Sequence, residues 1–284
     1  MTVVQKIEAM KEEYISWNGR IIPPQEMGMP LPELLAAHYV YQRVHTTAGK
    51  AMHLAEHLDI AWRTFHYIYG TRQEIDENTV AAQIAQVLRV NRYPARGSAV
   101  AMLCFFPRDT AVGGRNADDG SAGYDLMVMC ERPLIEKGYA VSSLRPRAVS
   151  YEYQIPYSAF PTGFRLSAAR MHDMLALEHG ATRSVRREGD RMISCGDAPL
   201  FGIKRKTLFT ASLTEGAVDS VERRLVIAAA AKARMDFLEE AVPHSGMRDF
   251  DELFYADAAG ITSLSECDGA KFMSLLVARL AGNL

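Results

Sequence analysis

The apolar positions along the chain change period several times, and the changes mark out its elements. Val3, Val4, Ile7 and Met10 recur at helical spacing. Tyr14-Ile15-Ser16-Trp17, then Asn18-Gly19, then Arg20-Ile21-Ile22 before Pro23-Pro24 predict strand, tight turn and strand. Val40–His45 predicts a short strand whose turn is Thr46-Thr47-Ala48-Gly49-Lys50. From Met52 the period becomes helical: Leu54, Leu58, Trp62, Phe65 and Ile68 form one stripe closing at Gly70, and a second helix is expected over 77–90. Ala99–Phe106 and Tyr124–Cys130 carry strong strand patterns, joined by a long loop, Pro107–Gly123. That loop is rich in glycine and aspartate but lacks the D-x-[DN]-x-[DN]-G order of a calcium loop.

Residues 142–159 alternate in character, hold two prolines and have no helical stripe, which predicts a connecting segment between two domains, 1–148 and 149–284. Beyond it, Phe164–Glu178 predicts a long helix ending at His179-Gly180. Met192–Cys195 and Leu200–Lys204 predict two short strands, Ser220–Ala241 an alanine-rich helix, Asp251–Leu264 a strand-like stretch and Lys271–Leu280 a closing helix. Hairpins rather than βαβ repeats in both halves point to an α+β fold.

Composition narrows the class. Of 284 residues, 48% are hydrophobic, enough for one large core or two. Lys plus Arg number 32 against 34 Asp plus Glu, a formal charge of −2, so no basic field draws the chain to nucleic acid or to an anionic membrane. No apolar run approaches the roughly 20 residues of a spanning helix, and MTVVQKIEAMKEEY has no signal-peptide h-region. A soluble, cytoplasmic protein with a small-molecule substrate is expected. Cys104, Cys130, Cys195 and Cys267 are far apart and suggest reduced thiols. His53 and His57 share a helix face beside Glu56 without a clustered third ligand, so no metal is expected. G-x-S-x-G, P-loop and G-x-G-x-x-G motifs are absent.

Six strings occur in an order that matters. They are Trp17-Asn18-Gly19-Arg20-Ile21-Ile22-Pro23, the strand Tyr39 to Val44 and Leu54-Ala55-Glu56-His57-Leu58. In the second half come Leu175 to Gly180, Leu200-Phe201-Gly202-Ile203-Lys204, and Asp251-Glu252-Leu253-Phe254 through Ile261-Thr262. Together they resemble the fold-type IV pyridoxal-phosphate (PLP) enzymes: D-amino-acid and branched-chain aminotransferases and aminodeoxychorismate lyase. The resemblance implies a two-domain α+β fold, a homodimer, PLP, and a biosynthetic transferase or lyase activity.

It also implies positions for the cofactor contacts, and this chain departs from the family at each. The family's Schiff-base lysine matches Thr162, and no lysine occurs anywhere from Gly138 to Ile203. The glutamate that holds the pyridine nitrogen matches about Ser194, with Asp197 nearby. The phosphate-gripping arginine matches Ile60, the phosphate turn reads Ser220-Val221-Glu222-Arg223, and the late Ser/Thr pair is Ala258-Ala259. A buried phosphate needs charge-assisted contacts, so these losses carry the expectation that no cofactor is bound, with PLP as the alternative. Tyr39, Arg43, Tyr151 and Tyr153 are the candidate catalytic residues, with Arg145, Arg147 and Tyr157 beside them, since Tyr and Arg lining a cleft would recognise a carboxylate or phosphate.

The expected function is an aminotransferase-like enzyme without PLP, of lyase, isomerase or condensing type, acting on a small carboxylate-bearing or amino-acid-derived substrate. The alternatives are a non-catalytic binding or partner subunit and a PLP-dependent aminotransferase or lyase.

Overall fold

The computed structural model describes residues 13–27, 35, 38–70, 74–108, 123–134 and 138–283. The helical spacing over residues 3–12 and the interior of the Pro107–Gly123 loop lie outside them. The chain divides into two compact units, Met1–Gly138 and Tyr139–Leu284.

The first unit is an antiparallel sheet backed by two helices. Its strands are β1 (Ile15–Trp17), β2 (Arg20–Ile22), β3 (Val40–Thr47), β4 (Lys50–Ala51), β5 (Ser98–Pro107) and β6 (Tyr124–Leu134), in the order β2-β1-β6-β5-β3-β4. Asn18 and Gly19 both take positive φ, 49° and 84°, as a two-residue hairpin turn requires. Helix α1 (Leu54–Tyr69) ends at Gly70 with φ 70°, whose N–H returns to the His66 carbonyl at 2.8 Å. Helix α2 (Glu77–Val90) starts where the Asp76 carboxylate accepts from the Thr79 N–H at 2.8 Å. Val44, Leu58, Phe65, Ile84, Val87 and Leu103 meet in one core, which is what the helical stripe and the continuous apolar run of β5 imply.

The second unit is built on a larger mixed sheet. Its path is β12-β11-β10-β9-β8-β7-β16-β17, where β7 is Arg147–Glu152, β8 Arg183–Glu188, β9 Arg191–Cys195, β10 Ala198–Lys204 and β11 Thr207–Thr210. The rest of the path is β12 (Asp236–Leu238), β16 (Glu266–Cys267) and β17 (Ala270–Lys271). Off it, β13 (Val242–Pro243) pairs with β9, and β14 (Glu252–Asp257) pairs with β10 and β15 (Gly260–Ser263). Helix α3 (Gly163–Glu178) is tied to β8 by Asp173, which accepts from the Ser184 N–H and hydroxyl, both at 2.7 Å, and pairs with Arg183 at 2.8 Å. Helices α4 (Val221–Lys232) and α5 (Leu275–Ala281) share a core with Phe201, Phe254 and Ile261.

Four segments differ from the sequence pattern. The connecting segment contains β7, which pairs in parallel with β8 and β16, so its alternation is that of a true strand. Strand β8 is invisible to apolar periodicity because Arg-Ser-Val-Arg-Arg-Glu has one apolar residue, yet Ser184, Val185 and Arg186 are fully buried. Helix α4 stops at Lys232 rather than Ala241: Arg234 turns at φ 54° and Asp236–Leu238 pairs with β11, so tertiary pairing overrides helix propensity. The closing helix starts four residues late because Ala270–Lys271 is held in the β16–β17 hairpin. No helix among the described residues is long and apolar enough to cross a membrane.

Candidate active site

The second unit gathers polar groups beneath α3. Thr162 caps that helix, its hydroxyl accepting weakly from the Arg165 N–H at 3.4 Å. Arg165, fully buried, donates through Nη1 to the Ser158 carbonyl at 2.6 Å and through Nε to the Asp197 carbonyl at 3.3 Å. On β8, Arg186 stands in register with Ser194 of β9 and Tyr151 of β7. Its Nη2 donates to the Gly216 carbonyl at 2.7 Å and its Nη1 to Glu188. Gly216 has φ 90°, and a Cβ there would lie 2.7 Å from Ser158 Oγ and 3.2 Å from Arg186 Nη2, so only glycine fits under the guanidinium.

Tyr153 lies stacked on His172 of α3, ring centres 3.6 Å apart and planes 5° off parallel, with Tyr151 tilted against the same imidazole at 5.5 Å. The Tyr151 and Tyr153 hydroxyls, Ser194 Oγ and Arg186 Nε are buried with no hydrogen-bond partner among the described residues. Such groups call for an explanation, because an unpaired buried donor costs about 1–3 kcal/mol.

Burial, and then the neighbouring Arg165, lowers the pKa of Arg186 to about 10. Burial pushes Tyr153 up to about 12 against the opposing pull of Arg165 and Arg186, so at neutral pH it is a phenol that donates. Cys195 is raised well above the usual thiol range by burial and is an inert thiol rather than a nucleophile. In the first turn of α4, burial raises Glu222 to about 8, with the Asp257 and Asp197 carboxylates adding to the rise. At neutral pH that carboxyl keeps its proton, with the Asp257 and Asp197 side chains near enough to act on it.

The structure thus sets Tyr151 and Ser194 in register on either side of Arg186, with Tyr153 electrostatically coupled to Arg186 and Arg165. Thr162 stands at the N-terminal cap of α3, where Arg165 reaches the Asp197 carbonyl, and Glu222 feels the Asp197 carboxylate. Ala258-Ala259 form the β14–β15 turn, where the Ala259 N–H is bound by Asp257 at 2.8 Å. Tyr39, Arg43 and Ile60 belong to the first unit: Tyr39 packs on Phe106 at 5.3 Å, Arg43 pairs with Glu131 at 3.0 Å, and Ile60 is buried in α1. Arg145 donates to the Leu264 and Phe272 carbonyls, Arg147 pairs with Glu266, and Tyr157 is exposed. Sequence reasoning missed Arg165, Arg186 and His172. No pattern signal marks Arg186, because the strand that carries it has a single apolar residue. His57 Nδ1 bonds Gln42 at 2.9 Å, and among the described residues no three His, Cys, Asp or Glu side chains are grouped to hold a metal.

No protein-family model matches the chain, and no curated protein matches it. Solved structures do. A branched-chain aminotransferase from Thermoproteus uzoniensis, with norvaline, superposes with a TM-score of 0.76 at 17% identity, over 95% of this chain and 92% of that one. A branched-chain aminotransferase from Thermobaculum terrenum in its PLP-form gives 0.74 at 18% identity, over 95% and 92%. A 4-amino-4-deoxychorismate lyase, so described for Legionella pneumophila, gives 0.69 at 15% identity, over 87% and 90%. The α+β architecture is therefore that of the fold-type IV aminotransferases, as the sequence resemblance implies. One expectation is corrected. The absence of any cofactor is overturned by these neighbours, one of them solved in its PLP-form, which point to PLP. The expectation rested on lost individual contacts, whereas the fold is shared with a neighbour solved in its PLP-form.

Proposed function

We propose that this chain is a fold-type IV enzyme that holds PLP without a Schiff base to the protein and acts on a small, carboxylate-bearing, amino-acid-derived substrate. It works as a homodimer in the cytoplasm. The observation that carries the reading is the set of buried donors without partners in the second unit: Tyr151 OH, Tyr153 OH, Ser194 Oγ and Arg186 Nε. They fit a phosphate ester or carboxylate, which offers acceptors only. What does not fit is a covalent link, since no lysine occurs between Gly138 and Ile203.

Bound PLP supplies an electron-withdrawing ring that drains charge from the carbon beside an amine. The rest falls to the chain's own residues. Tyr153 stays protonated up to about 12, so it donates and orients; its stacking on His172 fixes where its hydroxyl sits. Glu222 keeps its proton up to about 8 and can hold or release one near neutrality, the range in which a general acid is effective. Gly216 and Ser158 hold the guanidiniums through their carbonyls.

The test is a spectroscopic titration of the purified protein with PLP, followed by borohydride and peptide mapping. A saturable change in the visible spectrum with no stoichiometric covalent adduct on any lysine of the chain is expected. Absence of any saturable change overturns the cofactor, and a stoichiometric adduct on one lysine anywhere in the chain overturns the non-covalent mode.

A further inference from the structure

We propose that Arg186 anchors a buried oxyanion site, formed with Tyr153 and Ser194 beneath α3, which takes the phosphate or carboxylate group of the ligand. The proposal rests on the reading of the second unit as a ligand site and deepens it by naming the group that is gripped and the residue that grips it.

Three observations converge. Arg186 is fully buried, and a guanidinium out of water is costly unless its N–H groups are met. Two of its nitrogens are satisfied, by Glu188 and the Gly216 carbonyl, while Nε has no acceptor among the described residues. Glu188 is shared, lying 3.8 Å from Arg191, and is itself partly exposed. A second cation, Arg165, lies near enough to act on Arg186 electrostatically, so two like charges are held together out of solvent. A folded protein keeps such an arrangement where an anion belongs.

The neutral groups have matching chemistry. Ser194 is the cross-strand partner of Arg186, so their side chains leave the sheet on the same face, and its hydroxyl is unpartnered among the described residues. Tyr153, electrostatically coupled to both arginines, presents a phenol that stays protonated, and its hydroxyl is likewise unmet. Every unmet group in the set can donate. A cationic or neutral apolar ligand would leave them unmet, whereas an oxyanion accepts from several at once. Gly216 acts from the other side. A side chain there would press on Arg186 Nη2, and the backbone instead comes close enough to hold the guanidinium in one pose.

The test is calorimetric titration with four probes: inorganic phosphate, malonate, PLP and unphosphorylated pyridoxal. Phosphate or malonate alone is expected to bind saturably, and which of the two is tighter separates a phosphate from a carboxylate source. Arg186→Met is expected to weaken the tighter anion by about tenfold or more. Arg187→Met, on the opposite face of β8 and paired with Glu152, should leave it unchanged. Because Arg186→Met alters a buried position, Tyr153→Phe and Ser194→Ala provide variants that keep shape and remove only a donor, each expected to weaken binding several-fold. No saturable anion binding by the wild-type protein, or binding indifferent to Arg186, Tyr153 and Ser194, overturns the site. Where phosphate is the tighter anion, PLP that binds equally to wild-type and Arg186→Met protein overturns the site while leaving the proposed cofactor intact. Anion binding that depends on Arg186, with no response to PLP, does the reverse.

Discussion

The two units bury different kinds of side chain. Among the described residues of the first unit the buried polar groups are neutral or histidine: Ser16, Gln42, His45, Thr46, His57 and Gln83 among them. Several are plainly structural, as where Ser16 donates to Gln83 at 2.9 Å and Thr46 to the Ala99 carbonyl at 3.0 Å. The second unit buries Arg165, Arg186, Glu222, Arg223 and Glu252. Burying a charge is expensive, so each such residue must either be satisfied or serve a purpose. Glu252 is satisfied: its two oxygens accept from the Leu276 and Val277 N–H groups at 2.7 and 2.8 Å, capping α5. Arg186 is not fully satisfied, and Glu222 is held largely neutral. The contrast separates a unit whose buried polar groups are neutral or histidine from one whose interior also holds arginine and glutamate side chains.

The largest effect that tests this contrast lies in the first unit. Phe65 is 1% exposed and sits in the central cluster against Tyr69 and Tyr124, so Phe65→Ala is expected to cost about 3–5 kcal/mol in denaturant unfolding. If that interior is only scaffold, anion binding by the surviving folded fraction should be unchanged. A loss of affinity matching the loss of stability would erase the distinction.

A second test uses pH. The folded state holds the Glu222 proton up to about 8, against 4.5 for an unperturbed carboxyl, so the folded chain binds the extra proton between those values. Its contribution is therefore most favourable below pH 4.5 and is lost as pH rises through about 8. The size is on the order of a few kcal/mol, since each tenfold change in proton affinity corresponds to about 1.4 kcal/mol. Glu222→Gln should flatten this part of the curve of melting temperature against pH and stabilise the protein above pH 8. An identical slope in both proteins would show that Glu222 is ionised in the fold.

Gly216→Ala comes next. The position combines φ 90° with a Cβ contact of 2.7 Å to Ser158 Oγ, and a cost of about 1–3 kcal/mol is expected. Because the Gly216 carbonyl also holds Arg186, anion affinity should fall along with stability. Unchanged affinity would detach the turn from the site.

The same contrast explains what could be read in advance. The first unit follows its pattern closely: the stripe Leu54-Leu58-Phe65 is α1, Asn18-Gly19 is the hairpin turn, and the run Ala99–Phe106 is the buried strand β5. Apolar periodicity reports which face is buried in a hydrocarbon core, and there the interior is hydrocarbon. In the second unit β8 carries arginines inward, so the rule that charged residues face water hides the strand and with it Arg186. The position of Thr162 at the cap of α3 and of Ser194 on β9 is legible through the family resemblance. That Arg165 and Arg186 stand beside them is not, because it depends on the register of β7, β8 and β9 and on the close approach of Gly216.

The smallest expected effect is the most discriminating. Removing one partner of a buried ion pair usually costs about 3–5 kcal/mol, because the other charge is left unpaired out of water. If Arg186 were a structural partner of Glu188, Arg186→Met would cost that much. Glu188, however, keeps a side-chain exposure of 22% and a second cation, Arg191, at 3.8 Å, so it can be rehydrated when Arg186 is gone. The substitution also removes a cation whose charge is disfavoured by burial and by Arg165, and it leaves a flexible apolar side chain of similar reach in its place. The ligand-free protein carrying Arg186→Met should therefore unfold within about 1 kcal/mol of the wild type in denaturant titration, or slightly later. A loss of about 3 kcal/mol or more would make Arg186 a scaffold residue like Glu252. A neutral result combined with lost anion binding would mean that the charge is kept in the interior for what it holds.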